Sequence, residues 1–225
     1  MWSAQRAPRR PRVNSPPVPA PVRLLALVTA LAGGIAIVIE FGVQEARQPS
    51  AGAAVWQLAR YYTYWTNTAV FIVMAGTALG LRQFRLPQLW LAITASIVLV
   101  GLVFYALIYN PAADFAPRQE LAEHLLHGAV PVLTLILFLL LPHGRLGFRD
   151  FGWGVGPVVV YGAYLLTRGA IDGTYPYWFT DVPKLGVIGS IKSAVMLFSA
   201  FAVSTLVFIG LDKAIGHFRR GSSRG

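Results

Sequence analysis

Residues 121–141 read LAEHLLHGAVPVLTLILFLLL. A helix that crosses a bilayer needs about 20 mostly apolar residues, and this stretch supplies them. Its opening is unlike its body. His124 and His127 sit one helical turn apart, Glu120 and Glu123 lie just before them, and almost everything after them is apolar. A membrane span whose mouth carries four ionisable groups sets both the fold class and the search for a site.

Five more segments have the same character: 22–44, 62–81, 87–109, 151–168 and 186–211. The fifth of the six in chain order, 151–168, is the shortest, and FGWGVGP softens its start. Turn and breaker residues separate them, in RQPSAG, RQFRLP, NPAADFAPRQ, LPHGRLGFRD and GAIDGTYPYWFTDVPKLG. No internal repeat and no soluble domain is visible. The expectation is an all-α integral membrane six-helix bundle over residues 22–212. Residues 1–21, rich in Pro and Arg, are expected to form a disordered basic cytoplasmic tail, and residues 213–225 a second basic tail. A basic tail before an apolar run also describes a signal peptide. The run here continues to about Val43 without a clear small-x-small cleavage site, which favours a first transmembrane helix.

Composition agrees. Of 225 residues, 56% are hydrophobic and 12% charged, with mean hydropathy +0.58; soluble domains carry about 25% charged residues. The absence of cysteine excludes disulfides, Cys-ligated zinc and a Cys nucleophile. The net charge of +10 does not point to nucleic acid, because the basic residues concentrate in tails and short loops. Thirteen Lys and Arg fall on one side of the expected topology and six on the other, so both termini are expected in the cytoplasm of a multi-pass cell-membrane protein.

On that topology the unusual residues gather at the outer face. RYYTYWTNTAVF (60–71) opens the second span, FYALIYNP (104–111) closes the third, AEHLLHG (122–128) opens the fourth, and GTYPYWFTDV (173–182) follows the fifth. Polar groups converging from several helices are how a bundle builds a site. Glu120, Glu123 and His127 follow a three-then-four spacing and share a helix face, with His124 beside it. Glu123 is in reach of the His127 ring and can fix its tautomer. Thr63, Thr66 and Asn67 share a face of the second span. His127 lies about two turns into an apolar span, where an ionisable group is costly and suggests function. Thr66 and Asn67 also fit simple bonding to neighbouring backbone. The aromatic residues, Tyr175 and Tyr177 among them, also fit an interfacial belt, and Glu120 also fits a solvated helix start.

Three features resemble a known family: YYTYW (61–65), HLLHGAVP (124–131) and TYPYWF (174–179). In order and spacing over about residues 22–212 the chain resembles the androgen-induced family of six-span membrane proteins, most closely its bacterial branch. The family's animal members are threonine hydrolases that cleave fatty acid esters of hydroxy fatty acids. The resemblance implies a catalytic Thr at Thr63, with Thr66 as rival, and a catalytic His at His127. It also implies a membrane lipid or fatty acid ester as substrate.

The expected chemistry is attack by Thr63 on a lipid ester, with His127 as general base and Glu123 or His124 orienting it. Asn67, Asn110 or a Tyr hydroxyl is the expected oxyanion donor. Tyr175 and Tyr177 are further candidates for supporting or substrate-binding roles. No cofactor is called for. Two alternatives stand beside this reading. One is a zinc-dependent hydrolase using Glu120, Glu123, His124 and His127. The other is a non-enzymatic lipid-binding or transport bundle.

Overall fold

The computed structural model describes residues 18–112 and 115–222. Expectations for residues 1–17 and 223–225 lie outside the described residues. Within them every regular element is helical. In chain order these are α1 (Ala20–Glu45), α2 (Ala51–Leu58), α3 (Tyr62–Ala78), α4 (Pro87–Val103, extended by a π-turn over Phe104–Ile108), α5 (Pro117–His124), a π-turn at Leu125–Ala129, α6 (Val130–Leu140), α7 (Phe151–Asp172) and α8 (Val182–Gly221). Four helices are long and apolar enough to cross a membrane: Ala20–Glu45, Pro87–Ile108, Pro117–Leu140 and Val182–Gly221.

Proline sets several of the starts. α1, α4, α5 and α8 each carry Pro in their first two positions, where the missing N–H has no intrahelical partner to lose. The helices run past the expected boundaries where polar residues stay compatible with a helix. α5 begins at Pro117, so Glu120 lies in a first helical turn. α7 continues to Asp172. α8 runs from Val182 to Gly221, so most of the expected C-terminal tail is helical. The expected start of that last span, residue 186, is instead a kink inside α8, where Gly186 has φ 65°. α3 stops at Ala78, short of the expected residue 81. α2 occupies a stretch expected to be loop, capped by the Ser50 side chain, which accepts from the Ala53 N–H at 3.2 Å.

α4 is the axis of the bundle. It packs against α3 and α6 on one side and α7 and α8 on the other, while α1 lies along α3 and touches α5 and α6. Small residues let it sit there: Ala92, Ala95 and Ser96 are buried, and Ser204 of α8 donates to the Ala95 carbonyl at 3.0 Å. The largest apolar cluster, with Met74, Leu91, Ile97, Val130 and Leu137, joins α1, α3, α4 and α6. The outward faces of α1 and α8 stay apolar. Val38 (70%), Val187 (73%) and Ile188 (72%) are largely exposed, an exterior that suits lipid rather than water.

Candidate functional site

The site forms where the start of α3 meets the irregular end of α4 and the π-turn between α5 and α6. Pro131 explains that turn. In a regular α-helix the His127 carbonyl would accept from the N–H of residue 131, and proline has none. The helix widens instead, the Val130 N–H bonding five residues back to the Leu125 carbonyl. π-turns of this kind are frequent at functional sites. A second one follows in α4, where the Tyr109 N–H reaches the Phe104 carbonyl at 2.7 Å. The two irregular turns face each other. Phe104 stacks on the His127 ring with centroids 3.7 Å apart and planes within 7°. Gly101 makes the approach possible, since a Cβ there would stand 2.6 Å from the His127 carbonyl oxygen.

Thr63 Oγ1 lies 3.2 Å from His127 Nε2, and His127 Nδ1 lies 3.0 Å from Glu123 Oε2. Thr63 and His127 are both buried. The tautomer follows from the partners. Nδ1 faces two acceptors, the Glu123 carboxylate and, at 3.1 Å, the Glu123 backbone carbonyl. Nδ1 therefore carries the proton, and Nε2 turns its lone pair to the Thr63 hydroxyl. This is the arrangement in which an imidazole accepts a proton from a nucleophile and a carboxylate stabilises the resulting cation.

Tyr177, in the loop after α7, closes the other side. Its hydroxyl accepts the Tyr62 N–H at 3.1 Å and contacts the side chains of Thr63 and Tyr161. Burial pushes the Tyr177 phenol up to about 12, so it keeps its proton and can donate. The Tyr161 hydroxyl donates to the Arg60 carbonyl at 2.7 Å, and Tyr62 donates to Ser96 at 3.1 Å, which fixes the surrounding rings. The loop is tied to the bundle by Asp172, which pairs with Arg60 at 3.1 Å and Arg168 at 3.2 Å. Burial alone would raise this carboxyl, but the Thr174 N–H and the two guanidiniums outweigh it and hold Asp172 below its ordinary value.

The remaining expected residues divide. Thr66 turns its hydroxyl to the carbonyls of Tyr62 and Thr63, both at 3.1 Å, and does not face His127. Asn67 is buried, but its amide N–H groups point to the carbonyls of Thr63 (2.9 Å) and Leu126 (3.4 Å), so it holds α3 to the π-turn and is not aimed at an oxyanion. Asn110 is exposed and accepts the nearby Ala112 N–H at 3.0 Å, away from the Thr63–His127 pair. Tyr175 packs its ring over Gly169. His124 is exposed, 3.9 Å from Glu120 and 3.3 Å from the Tyr105 hydroxyl. The four possible zinc ligands therefore split into two separate pairs, Glu120 with His124 and Glu123 with His127. No group of three metal-type side chains converges among the described residues.

Glu40 was missed in the sequence. It is buried on α1, accepts the Tyr64 hydroxyl at 3.2 Å, and stands within electrostatic range of Glu123. The signal was present: it is the lone carboxylate inside the apolar run of the first span.

Thr63 and His127 open on a cavity of about 370 Å³ between α3, α4, α7 and α8. Its walls are chiefly apolar, with Val100, Phe104, Leu165 and Phe201, and its rim includes Leu166 and Phe198, which are exposed on the outside of the bundle. Comparison with family models, with curated proteins and with solved structures finds no match for the chain.

Proposed function

We propose that this protein is a membrane-embedded lipid ester hydrolase with Thr63 as nucleophile. The observation that carries the reading is the buried line Glu123–His127–Thr63, at 3.0 and 3.2 Å, ending in an apolar cavity. A threonine hydroxyl is a weak nucleophile at neutral pH and needs an adjacent base. In the proposed cycle His127 Nε2 takes the Thr63 proton as Oγ1 attacks the ester carbonyl. The Tyr177 hydroxyl donates to the oxyanion. Collapse breaks the bond to the leaving alcohol, which takes its proton from the imidazolium. Water, deprotonated by the same nitrogen, then releases the carboxylate from Thr63. The acyl chain lies along Val100, Leu165 and Phe201 and enters between α7 and α8 past Leu166 and Phe198.

The same reading takes α1, α3, α4, the α5–α6 pair, α7 and α8 as six crossings of the cell membrane. The site is then at the outer face, and the arginine-rich end, with both termini, is in the cytoplasm. α3, at 17 residues, is at the short limit for a span. The bias of Lys and Arg toward one end supports the orientation.

The test is covalent labelling of membranes with a fluorescent fluorophosphonate. Wild type and Thr66→Ala should label; Thr63→Ala and His127→Ala should not. Label retained in both of the latter, or a folded wild type that takes no label, overturns the proposal.

A further inference from the structure

A second cavity, about 500 Å³, lies at the opposite end of the bundle from Thr63. It is framed by the start of α1, the end of α3, the start of α4, the end of α6 and the last turns of α8. Its floor is apolar, with Val22, Trp90 and Phe138. Its rim is cationic, with Arg85, Arg145, Arg219 and Arg220.

Among the described residues that line the cavity, one carries a carboxylate, and it is already used. Asp212 is buried and accepts the backbone N–H groups of Gly144 (3.0 Å), Arg145 (2.9 Å) and Leu146 (2.8 Å), and pairs with His143 at 3.2 Å. It pins the loop after α6 against α8, and its carboxylate is not paired with the Arg145 or Arg219 guanidinium. Arg219 is held in place by donating to the carbonyls of Leu141 (2.9 Å) and Leu139 (3.1 Å) at the end of α6. That leaves further guanidinium N–H groups for a ligand, because arginine has five. The Arg145 guanidinium makes no hydrogen bond or ion pair among the described residues. The wall also holds a hydroxyl, Thr77 Oγ1, buried and with no hydrogen-bond partner among the described residues.

A solvated cationic surface would satisfy the charge bias alone. It would not explain a cavity that joins guanidiniums and an unused hydroxyl to an apolar floor. That combination fits an anionic headgroup that carries a hydrocarbon tail. Basic pockets between transmembrane helices bind such headgroups, and each arginine near an anionic lipid surface contributes about 1 kcal/mol. We propose that this cavity binds the phosphate of an acidic phospholipid, with Arg145 and Arg219 on the phosphate oxygens and the acyl chain along Trp90 and Phe138.

The test uses the full chain purified in detergent, with dioleoyl phosphatidylglycerol, dioleoyl phosphatidylcholine and inorganic phosphate as probes. Native mass spectrometry reads lipid binding and thermal shift reads all three. Phosphatidylglycerol should bind and raise Tm, whereas phosphatidylcholine and inorganic phosphate should leave it unchanged. Arg145→Gln with Arg219→Gln should weaken phosphatidylglycerol binding by about thirtyfold. Because Arg219 also caps α6, Arg145→Gln alone is the second variant, expected to weaken binding by about fivefold. Arg118→Gln with Lys184→Gln, which removes two charges at the other end, should change nothing. Equal binding of phosphatidylcholine, or the same affinity in Arg145→Gln as in wild type, overturns the proposal. A Tm shift from inorganic phosphate as large as that from phosphatidylglycerol assigns a free-anion site and overturns the lipid.

Discussion

Glu123→Gln tests the proposed chemistry more sharply than removal of the nucleophile, because it keeps size and burial and removes one charge. In the resting site Nδ1 has two acceptors, and the backbone carbonyl of residue 123, at 3.1 Å, survives the substitution. The tautomer that offers Nε2 to Thr63 is therefore retained. What is lost is the carboxylate 3.0 Å from Nδ1 when the ring becomes a cation during attack. Both charges are spread over their groups, so with centres about 4 Å apart and an effective dielectric of about 20 they interact by about 4 kcal/mol. A hydrogen bond to a charged group gives a lower bound of about 1.5–3 kcal/mol. The barrier should rise by about 2–4 kcal/mol, a fall in kcat of about 30- to 1000-fold. KM should hold within about twofold, because the ground-state cavity is untouched. The assay is hydrolysis of a fluorogenic long-chain ester by purified protein in nanodiscs, with kcat and KM fitted separately. A kcat within about threefold of wild type, in a preparation where His127→Ala is inactive, would refute the role of Glu123.

Tyr177→Phe should lower kcat about 100- to 1000-fold if this hydroxyl serves the oxyanion, with a smaller fall in Tm because the Tyr62 N–H loses its acceptor; a fall confined to KM would assign it to substrate binding. Gly101→Val drives a side chain against the His127 carbonyl and the Pro131 ring, so ester hydrolysis and Tm should fall together, while Gly156→Ala, with open space at its Cβ, should leave both unchanged. Asp172 contributes stability above its unfolded pKa, and this is lost as pH falls through its lower folded value. Wild type should therefore lose more Tm between about pH 6 and pH 3 than Asp172→Asn, and equal losses would remove Asp172 from the acid response.

Helical class and the position of most helices were legible because apolar runs and prolines act locally. Pro87 and Pro117 stand at the starts of α4 and α5. The ends were less legible. Asp172 and Arg168 pair with each other across one turn of α7, so the helix continues through charges that look like loop. α8 likewise runs on through Lys213 and Arg219 to Gly221, since no proline follows residue 211 to interrupt it. Within the site, spacing placed Glu123 and His127 on one face, an i,i+4 relation that needs no tertiary information. The choice between Thr63 and Thr66 did need it. Both occupy one face of α3, and only the approach of the π-turn decides which hydroxyl meets the ring. Glu40 stands out in sequence as the lone carboxylate of its apolar run, but its nearness to Glu123 depended on α1 lying beside α5, a contact no local pattern encodes.

Pro131 connects the irregular backbone to the chemistry. By removing an N–H one turn after His127, it widens the helix at the residue that carries the imidazole. In a regular helix each side chain advances by about 100° per residue, and one extra residue in a turn shifts everything before it around the axis. The ring is held in that displaced position by Phe104 on its face, Glu123 on Nδ1 and Thr63 on Nε2. Each of these contacts comes from a different constraint: a second π-turn, an i,i+4 pair and the packing of α3. A ring fixed on three sides in a buried site loses little orientation when it changes charge, which is the condition under which a neutral imidazole serves as an effective base for a weak hydroxyl nucleophile.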